Sequence, residues 1–417
     1  MWTNIPLPAM GYLYQQRVFL FLFIISLLFL VYSSHFSSPK LIKVQLMGVN
    51  RNMSSQSEEI LTPTQTKAMY KNDSIRPIFN STVFIHGAQN HSVLKATSTS
   101  FGKLVHFGPK GREFDFRINI DVKPSTCATS IQKKFQGSKW ASNMFLRNIT
   151  MVMHQGAMSN AEYKRLHAFG MPYGLKGYKR SDLSYKDLQA ILSKLPHEYS
   201  ILDFSSKEKP TCLSCAVIGN GGILNGSKLG KEIDGHDLVF RVNHAIRRGF
   251  EEDVGNKTTH YVMMDRSLIH TSKEDVPRDK EIKYVFLPCR RLDYSYIKDA
   301  IGRPNPKLKL VTDANNVRIL HPDFVRYINK IWIRRKRFFR PTTGGIMFMS
   351  ALHCGCDSVD VYGMGINKQY SAHYYDLEHQ RYKYNRGHDF GREVEILKAL
   401  DNEGIINWYK RDVNLFK

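Results

Sequence analysis

Two histidines towards the carboxyl end of the chain are the residues best suited to acid–base chemistry. His373 lies in the segment SAHYYD, and His388 opens the segment HDFGREVEIL, in which Glu393 follows five residues later. An imidazole exchanges protons near neutral pH, so either ring could act as a general base. A single histidine is more often structural, and the two are fifteen residues apart, too far for one helical face. To act together, they must be brought to one cleft by a loop.

The segment RPTTGGIMFM, residues 340–349, has the residue types of a helix start that could bind an anion. Thr342 and Thr343 are natural N-cap residues for the apolar helix predicted after them. The first N–H groups of a helix lack partners within it and carry partial positive charge, so they bind phosphate well. An ordinary capped core helix is the simpler interpretation of this segment taken alone.

A glycine-rich turn lies earlier in the chain, in CAVIGNGGILNGSKLG, residues 215–230. Its pattern is typical of a nucleotide-binding turn, but Leu224 stands where a dinucleotide site has its third glycine. The next predicted strand ends in Arg241 and Asn243, without the carboxylate that would bind a ribose in a nicotinamide site. Amide side chains suit a base and a ribose. The alternative is a turn that only packs a strand against a helix.

Alternating strand-like and helix-like segments must position these residues. The apolar runs predicted as strands are residues 216–219, 237–243, 259–264, 283–288, 307–312 and 357–365. The stretches predicted as helices are residues 321–335, 342–355 and 389–404. This alternation predicts an α/β fold with a largely parallel sheet.

Composition restricts the partners. The 417 residues include 60 Lys and Arg against 37 Asp and Glu, which gives a net charge of +23. Such a basic chain suits phosphates, anionic membranes, nucleic acids or acidic sugars. The stretch WIRRKRFFR, residues 332–340, has the basic and aromatic pattern of a nucleic-acid site, but a luminal location argues against that partner. The solvated face of a helix is the simpler interpretation.

The amino-terminal part of the chain indicates the secretory pathway. Residues 18–32 form an uncharged apolar run, either an uncleaved anchor or the core of a cleaved signal peptide. Four N-x-S/T sequons lie between residues 52 and 92. Six cysteines agree with disulfides in an oxidising compartment. Cys212 and Cys215 could form a redox or zinc pair, although no second pair stands at zinc spacing with suitable histidines.

Four segments, in this order, resemble the sialylmotifs of the eukaryotic sialyltransferases. Residues 215–261 resemble the large motif and residues 341–363 the small motif, while HYYD at 373–376 is similar to the third. His388 with Glu393 fits the very small motif, a His followed by four residues and Glu. Within that family the chain looks most like the N-acetylgalactosaminide alpha-2,6-sialyltransferases.

The resemblance implies a variant of the GT-A fold with a Rossmann-like, mostly parallel sheet flanked by helices. It implies a single-pass type II Golgi membrane protein with a luminal catalytic domain. The implied parts are a cytoplasmic tail (1–17), a signal-anchor (18–34), a luminal stem (35–120) and a catalytic sialyltransferase domain (121–417).

The activity that the resemblance implies is inverting transfer of sialic acid from CMP-sialic acid to a glycoprotein O-glycan. The expected linkage is alpha-2,6 to GalNAc, with no metal or other cofactor and no nucleic-acid partner. A galactose or glycolipid acceptor is the alternative, and a nicotinamide-dependent oxidoreductase is the less favoured one.

Motif positions also imply roles for single residues. The residues expected to bind CMP-sialic acid are Asn220, Asn243, Thr342, Thr343, Gly344 and Tyr374. His373, with Tyr374, should face the donor phosphate, and His388 should be the catalytic base.

The resemblance implies a disulfide between the large and small motifs, here Cys215 with Cys356. Cys127 with Cys212 is the second expected pair. Cys289 and Cys354 remain, either as a third pair or as two thiols.

Overall fold

The computed structural model describes residues 102–411, except 121, 178–182, 198–199, 203–209, 303–306, 335–338 and 382–386. The predicted tail, the signal-anchor and most of the predicted stem lie outside the described residues. No helix within the described ranges is both long enough and apolar enough to span a bilayer.

Nine strands lie within the described residues, and seven of them form the central sheet. They are β1 (Lys103–His106), β2 (Asp115–Ile118), β3 (Ser214–Ile218), β4 (Leu238–Val242), β5 (His260–Met263), β6 (Lys283–Phe286), β7 (Val317–Ile319), β8 (Ser358–Tyr362) and β9 (Asn407–Trp408). The sheet order is β7-β6-β5-β4-β3-β8-β9, and every adjacent pair is parallel. The predicted α/β fold with a parallel sheet is confirmed.

Ten α-helices in the described part of the chain connect and cover these strands. They are α1 (Ile131–Gly137), α2 (Asn160–Leu166), α3 (Tyr185–Leu192), α4 (Gly230–Asp234), α5 (Glu251–Val254), α6 (Asp265–Ile269), α7 (Arg291–Ala300), α8 (Pro322–Tyr327), α9 (Thr343–His353) and α10 (Phe390–Asn402). All residues of β5 and β6 are buried, as expected for strands covered on both faces.

The strand order changes direction at β3. From β3 the chain adds β4, β5, β6 and β7 on one side, and then returns to place β8 on the other side of β3. The loops after β3 and β8 therefore leave the sheet in opposite directions and open a crevice at its carboxyl edge. Ligands of open parallel sheets bind at such a point.

Two predicted elements differ in the structure. Residues 307–312 are not a strand, and the edge of the sheet is formed instead by β7, whose Val317 and Ile319 are fully buried. Alternating Lys and Leu in KLKLVT imitates a strand, yet Lys309 uses its ammonium group to bind the carbonyls of Ile269 and Thr271. The helix predicted over 321–335 is α8 followed by a π-helical segment, Ile328–Ile333.

Part of the stretch assigned to the stem is folded against the core. The strands β1 and β2 pair as an antiparallel hairpin. Phe116 is fully buried in the main hydrophobic cluster, and the Arg117 N–H donates to Asp323 Oδ2 at 2.7 Å. The other predicted domain boundaries stay predictions.

Both expected disulfides are present. Cys215 at the start of β3 is bonded to Cys356 just before β8, and Cys127 is bonded to Cys212. Because Cys212 and Cys215 belong to separate disulfides, they do not form one redox or zinc pair. Cys289 and Cys354 are thiols and not a third disulfide.

Candidate active site

A cavity of about 260 Å³ lies in the crevice between the loops that follow β3 and β8. The predicted residues that line it are Asn220, Asn243, Thr342, Thr343, Gly344, His373 and His388. The structure therefore brings together seven of the eight predicted catalytic and donor-binding residues, which come from five separate segments. Parallel topology explains this, since the carboxyl ends of the strands meet at one edge of the sheet.

The floor of the cavity is formed where the glycine turn meets the loop after β8. The Gly219 N–H donates to Tyr362 O and the Gly221 N–H donates to Gly363 O, both at 2.8 Å. A Cβ added at Gly219 would lie 2.3 Å from Gly363 O, a distance that no side chain tolerates. The turn therefore needs glycine to let two backbones approach, which leaves the Asn220 side chain at the cavity surface.

The two asparagines present complementary amide atoms. Asn220 Nδ2 donates to Val242 O at 3.2 Å, which leaves its Oδ1 as an acceptor towards the cavity. Asn243, in the left-handed region at φ 56°, accepts at Oδ1 from Ser267 Oγ at 2.9 Å, which leaves Nδ2 as a donor. A hydrogen-bond acceptor and a donor therefore face the same space.

The amino terminus of α9 forms a second wall. Thr342 is the N-cap, and its Oγ1 accepts from Gly345 N at 2.8 Å, as its residue type predicts. Thr343 and Gly344 are the first residues of the helix and line the cavity. Their N–H groups are among the four that an α-helix cannot satisfy internally, so they are available to an anion.

His388 is held with one ring nitrogen facing the protein and the other turned towards the cavity. Its Nδ1 is 2.8 Å from Arg340 O, and the Arg340 N–H in turn donates to Gly387 O at 2.8 Å. A carbonyl can only accept, so Nδ1 carries the proton and Nε2 keeps its lone pair. Burial lowers the pKa of His388 and outweighs the hydrogen bond that the ring donates to the Arg340 carbonyl, so the neutral ring is favoured. A neutral imidazole with an open Nε2 is a general base.

His373 faces the same cavity and is oriented by a carboxylate. Asp376 Oδ1 lies 3.2 Å from its Nδ1, and Asp376 Oδ2 accepts from the His373 N–H at 2.7 Å. Burial raises the pKa of Asp376, but hydrogen bonds led by that from Ser371 outweigh burial and hold the pKa below its usual value. The His373 ring also stacks on Tyr375, with centroids 5.0 Å apart. This pairing leaves Nε2 of His373 for a ligand.

Tyr374 requires a correction, because it does not line the cavity. Its side chain is 1% exposed, and its hydroxyl donates to the Ile246 carbonyl. The backbone N–H of Tyr374 donates to Asn220 O at 3.0 Å. The segment is a turn, in which the Asp376 N–H donates to His373 O at 3.4 Å. His373 faces the cavity from this turn, while Tyr374 packs inward. Tyr374 supports the glycine turn and does not face the space where a phosphate would lie.

Glu393 is a cavity residue that the sequence identified only as part of a motif. Its Oε1 accepts from the Thr342 N–H and its Oε2 accepts from Thr342 Oγ1, both at 2.7 Å. Burial, with a smaller contribution from Asp389, raises the pKa of Glu393 to about 7 despite these two hydrogen bonds. The spacing to His388 gave no sign of this contact, because Thr342 is 51 residues away in the chain.

Potential metal ligands do not cluster in the described part of the chain. No group of three or more His, Cys, Asp or Glu residues there is arranged to hold an ion.

Comparisons with known proteins place this geometry in a family. The model of glycosyltransferase family 29 (sialyltransferase) matches residues 152–405. Alpha-N-acetylgalactosaminide alpha-2,6-sialyltransferase 1 of Gallus gallus is 36% identical over 72% of this chain and 58% of its own length. The Mus musculus protein of the same name is 32% identical over 72% of this chain and 62% of its own length. The chain thus spans less than two thirds of these relatives.

A solved structure supports the same fold. A mammalian sialyltransferase in complex with Gal-beta-1-3GalNAc-ortho-nitrophenol aligns with a TM-score of 0.53 at 26% identity, over 69% of this chain and 99% of that one.

Proposed function

The chain belongs to glycosyltransferase family 29, the sialyltransferases, and from this we propose that it transfers sialic acid from CMP-sialic acid to a glycoprotein O-glycan. The proposed linkage is alpha-2,6 to GalNAc, the specificity named for the relatives at 36% and 32% identity. The observation that carries the proposal is one cavity that combines a neutral imidazole, a helix amino terminus and two oriented amides.

In this proposal the cytidine nucleotide binds between the glycine turn and α9. Asn220 Oδ1 and Asn243 Nδ2 are the polar partners for the base and the ribose. The N–H groups of Thr343 and Gly344 receive the phosphate or the sialyl carboxylate, both of which are anions. His373, oriented by Asp376, donates to the phosphate from Nε2.

The reaction proposed is a single displacement with inversion. The bond between the anomeric carbon and the phosphate oxygen breaks, and the sialyl centre passes through an oxocarbenium-like state. Donors fixed at α9 and at His373 stabilise the charge that develops on the departing CMP. On the opposite face, His388 Nε2 takes the proton of the acceptor hydroxyl as the new bond forms.

The cellular setting of this reaction is part of the proposal. We propose a Golgi location with a type II anchor at residues 18–34 and a luminal catalytic domain. The apolar run, the cluster of sequons and the two disulfides support a luminal domain. We also propose that the reaction needs no metal, because the α9 amino terminus and His373 can meet the negative charge of the donor.

An acceptor panel with labelled CMP-sialic acid tests this function. The panel contains a GalNAc-Ser/Thr peptide, the same peptide extended by galactose, a free beta-galactoside and a glycolipid. We expect transfer to the GalNAc peptides, a linkage resistant to an alpha-2,3-specific sialidase, and an unchanged rate in EDTA.

Transfer only to galactose or to the glycolipid would refute the proposed acceptor. A protein that transfers to no acceptor, and that is stabilised in thermal melts by NAD and not by CMP, would refute the proposed activity.

A further inference from the structure

The carboxyl group of Glu393 lies at a boundary between polar and apolar surroundings. On one side it lines the cavity proposed to hold the donor. On the other side it borders a small apolar cavity of about 20 Å³. The apolar residues there include Trp332, Phe348, Met349, Ile396 and Leu397. Such surroundings disfavour the ionised carboxylate.

Neighbouring charged groups do not neutralise this carboxylate. Asp389, the N-cap of the helix that carries Glu393, is also acidic. On that helix, Arg392 donates to Trp332 O at 3.2 Å and to Glu395 at 3.1 Å. From the preceding loop, the His388 ring is bonded to the Arg340 carbonyl.

The other elements described around Glu393 place no charged side chain in a salt bridge with its carboxylate. The first turn of α9, residues 343–346, has no titratable side chain. Across the cavity, His373 is paired with Asp376. The π-helical segment Ile328–Ile333, which packs against α10, contributes Lys330 as its titratable residue. The groups that hydrogen-bond to the carboxylate are therefore the neutral N–H and hydroxyl of Thr342.

The hydroxyl of Thr342 connects Glu393 to the donor site. It accepts from Gly345 N and donates to Glu393 Oε2. A hydroxyl has one proton and two lone pairs, so its only proton is engaged while Glu393 is ionised. If Oε2 is protonated, it donates to the hydroxyl instead, and the hydroxyl proton becomes available to an anion in the cavity.

We propose that Glu393 becomes fully protonated, with protons from solvent, when the anionic donor binds, and thereby turns the Thr342 hydroxyl towards that donor. Glu393 is in this view a positioning residue, which acts through Thr342 and the amino terminus of α9. The inference rests on the proposed function, since the anion is CMP-sialic acid. The negative phosphate and carboxylate of the donor favour the neutral form of a nearby acid.

The pKa of about 7 places this step in the range of an ordinary assay. At pH 7 Glu393 is about half protonated before binding, so full protonation takes up about half a proton per donor. At pH 5 the group is already protonated and the uptake vanishes. Above pH 8 the affinity should fall by up to roughly tenfold per pH unit, because one proton must be supplied for each donor bound.

Calorimetric titration of the full chain with CMP-3-fluoro-sialic acid measures this uptake. The analogue keeps a phosphodiester, which does not titrate near neutral pH. Paired titrations at pH 7 in two buffers of different ionisation enthalpy give the number of protons taken up. We expect the wild type to take up about half a proton more than Glu393→Gln, and we expect His388→Gln to take up as many protons as the wild type.

Equal uptake by wild type and Glu393→Gln would overturn the inference, as would a wild-type affinity that does not change between pH 7 and pH 9. The second measurement needs no variant, so it decides the matter even if the substitution prevents folding. Failure of the wild type to bind the analogue at any pH would instead refute the proposed function.

Discussion

A buried carboxyl group, that of Glu162, and a half-buried one, that of Glu393, have pKa values shifted in opposite directions. Glu162 is 3% exposed and is held by Arg117 and Arg165, each through two hydrogen bonds of 2.6–2.9 Å. Burial raises its pKa, but the hydrogen bonds and positive charges of the two arginines outweigh burial and hold the pKa well below the usual range. Glu393 is bonded to neutral Thr342 groups, and burial raises its pKa to about 7. Loss of solvent contact raises the pKa of both carboxyl groups, so the charge of the hydrogen-bonding partner decides the direction of the shift.

The opposite pKa shifts of Glu162 and Glu393 agree with the different roles of the two regions. The site around Glu162 joins Arg117 of β2 to Arg165 of α2, and Arg165 also binds Asp323 of α8 at 2.7 Å. That network ties the hairpin and two helices together and stays charged. Glu393 lines a cavity beside a helix amino terminus, where a bound anion would favour its neutral form. Groups with a perturbed pKa cluster at functional sites, although ion-pair networks within the fold also shift pKa values. Glu162 is an example of the structural network, and Glu393 is an example of the functional site.

Removing one member of the structural network should have the largest effect on stability. Asp323 is fully buried and pairs with Arg326 at 2.6 Å as well as with Arg165. In Asp323→Ala a buried guanidinium loses its carboxylate, so we expect the free energy of unfolding to fall by about 3–5 kcal/mol. Urea denaturation measures this loss. The matched control is Glu252→Ala, which removes an exposed pair with Lys228 and should cost about 1 kcal/mol or less.

A loss in Asp323→Ala no greater than in the control would mean that the network does not hold the hairpin and helices together. Glu162 would then not serve as the structural example in the comparison with Glu393.

The pH dependence of stability should differ in sign between the two sites. The pKa of Glu393 rises from 4.5 to about 7 on folding, so the folded chain binds more protons between these values. Its contribution to stability is therefore lost as pH rises through 7. Glu393→Gln removes this dependence and should gain about 1–2 kcal/mol on the wild type between pH 5 and pH 8, allowing for contact with the cavity.

Glu162→Gln should show the reverse sign. Folding lowers the pKa of Glu162, so its stabilisation is present above its unfolded value of 4.5 and is lost as pH falls through the lower folded value. Glu162→Gln should therefore be less stable than wild type at pH 8, and the gap should narrow in acid. Thermal melts at pH 5 and pH 8 measure the Glu393 difference, and melts at pH 3 and pH 8 measure the Glu162 difference, because Glu162 changes its contribution only below pH 4.5. Profiles with the same sign for the two variants would break the comparison.

The sequence predicted most of the residues that line the cavity, but it did not predict the hydrogen bonds and packing that hold them in place. Asn220, Asn243 and Thr342 follow strands or begin a helix, and parallel topology makes such positions converge. His373 and Tyr374 are adjacent, and the sequence could not show that one faces the cavity and the other the core. The bond between Thr342 and Glu393 joins distant segments, so spacing alone could not reveal it.

The errors in the fold have a similar cause. Alternation in residues 307–312 predicts a strand, but tertiary contacts of Lys309 remove that segment from the sheet. The hairpin of β1 and β2 lies in polar sequence with a weak period, and its place in the fold depends on Phe116 and on long-range bonds from Arg117. Patterns within a short stretch of sequence do not indicate contacts with residues that are distant in the chain.

Transfer by His388→Ala, measured together with its affinity for CMP, tests the central claim most directly. The claim is that Nε2 of His388 removes the proton of the acceptor while other groups bind the nucleotide. We expect transfer to fall roughly 10²–10⁴-fold with CMP affinity unchanged, and His106→Ala, at an exposed position of the hairpin, to transfer normally. Near wild-type transfer by His388→Ala would contradict the account.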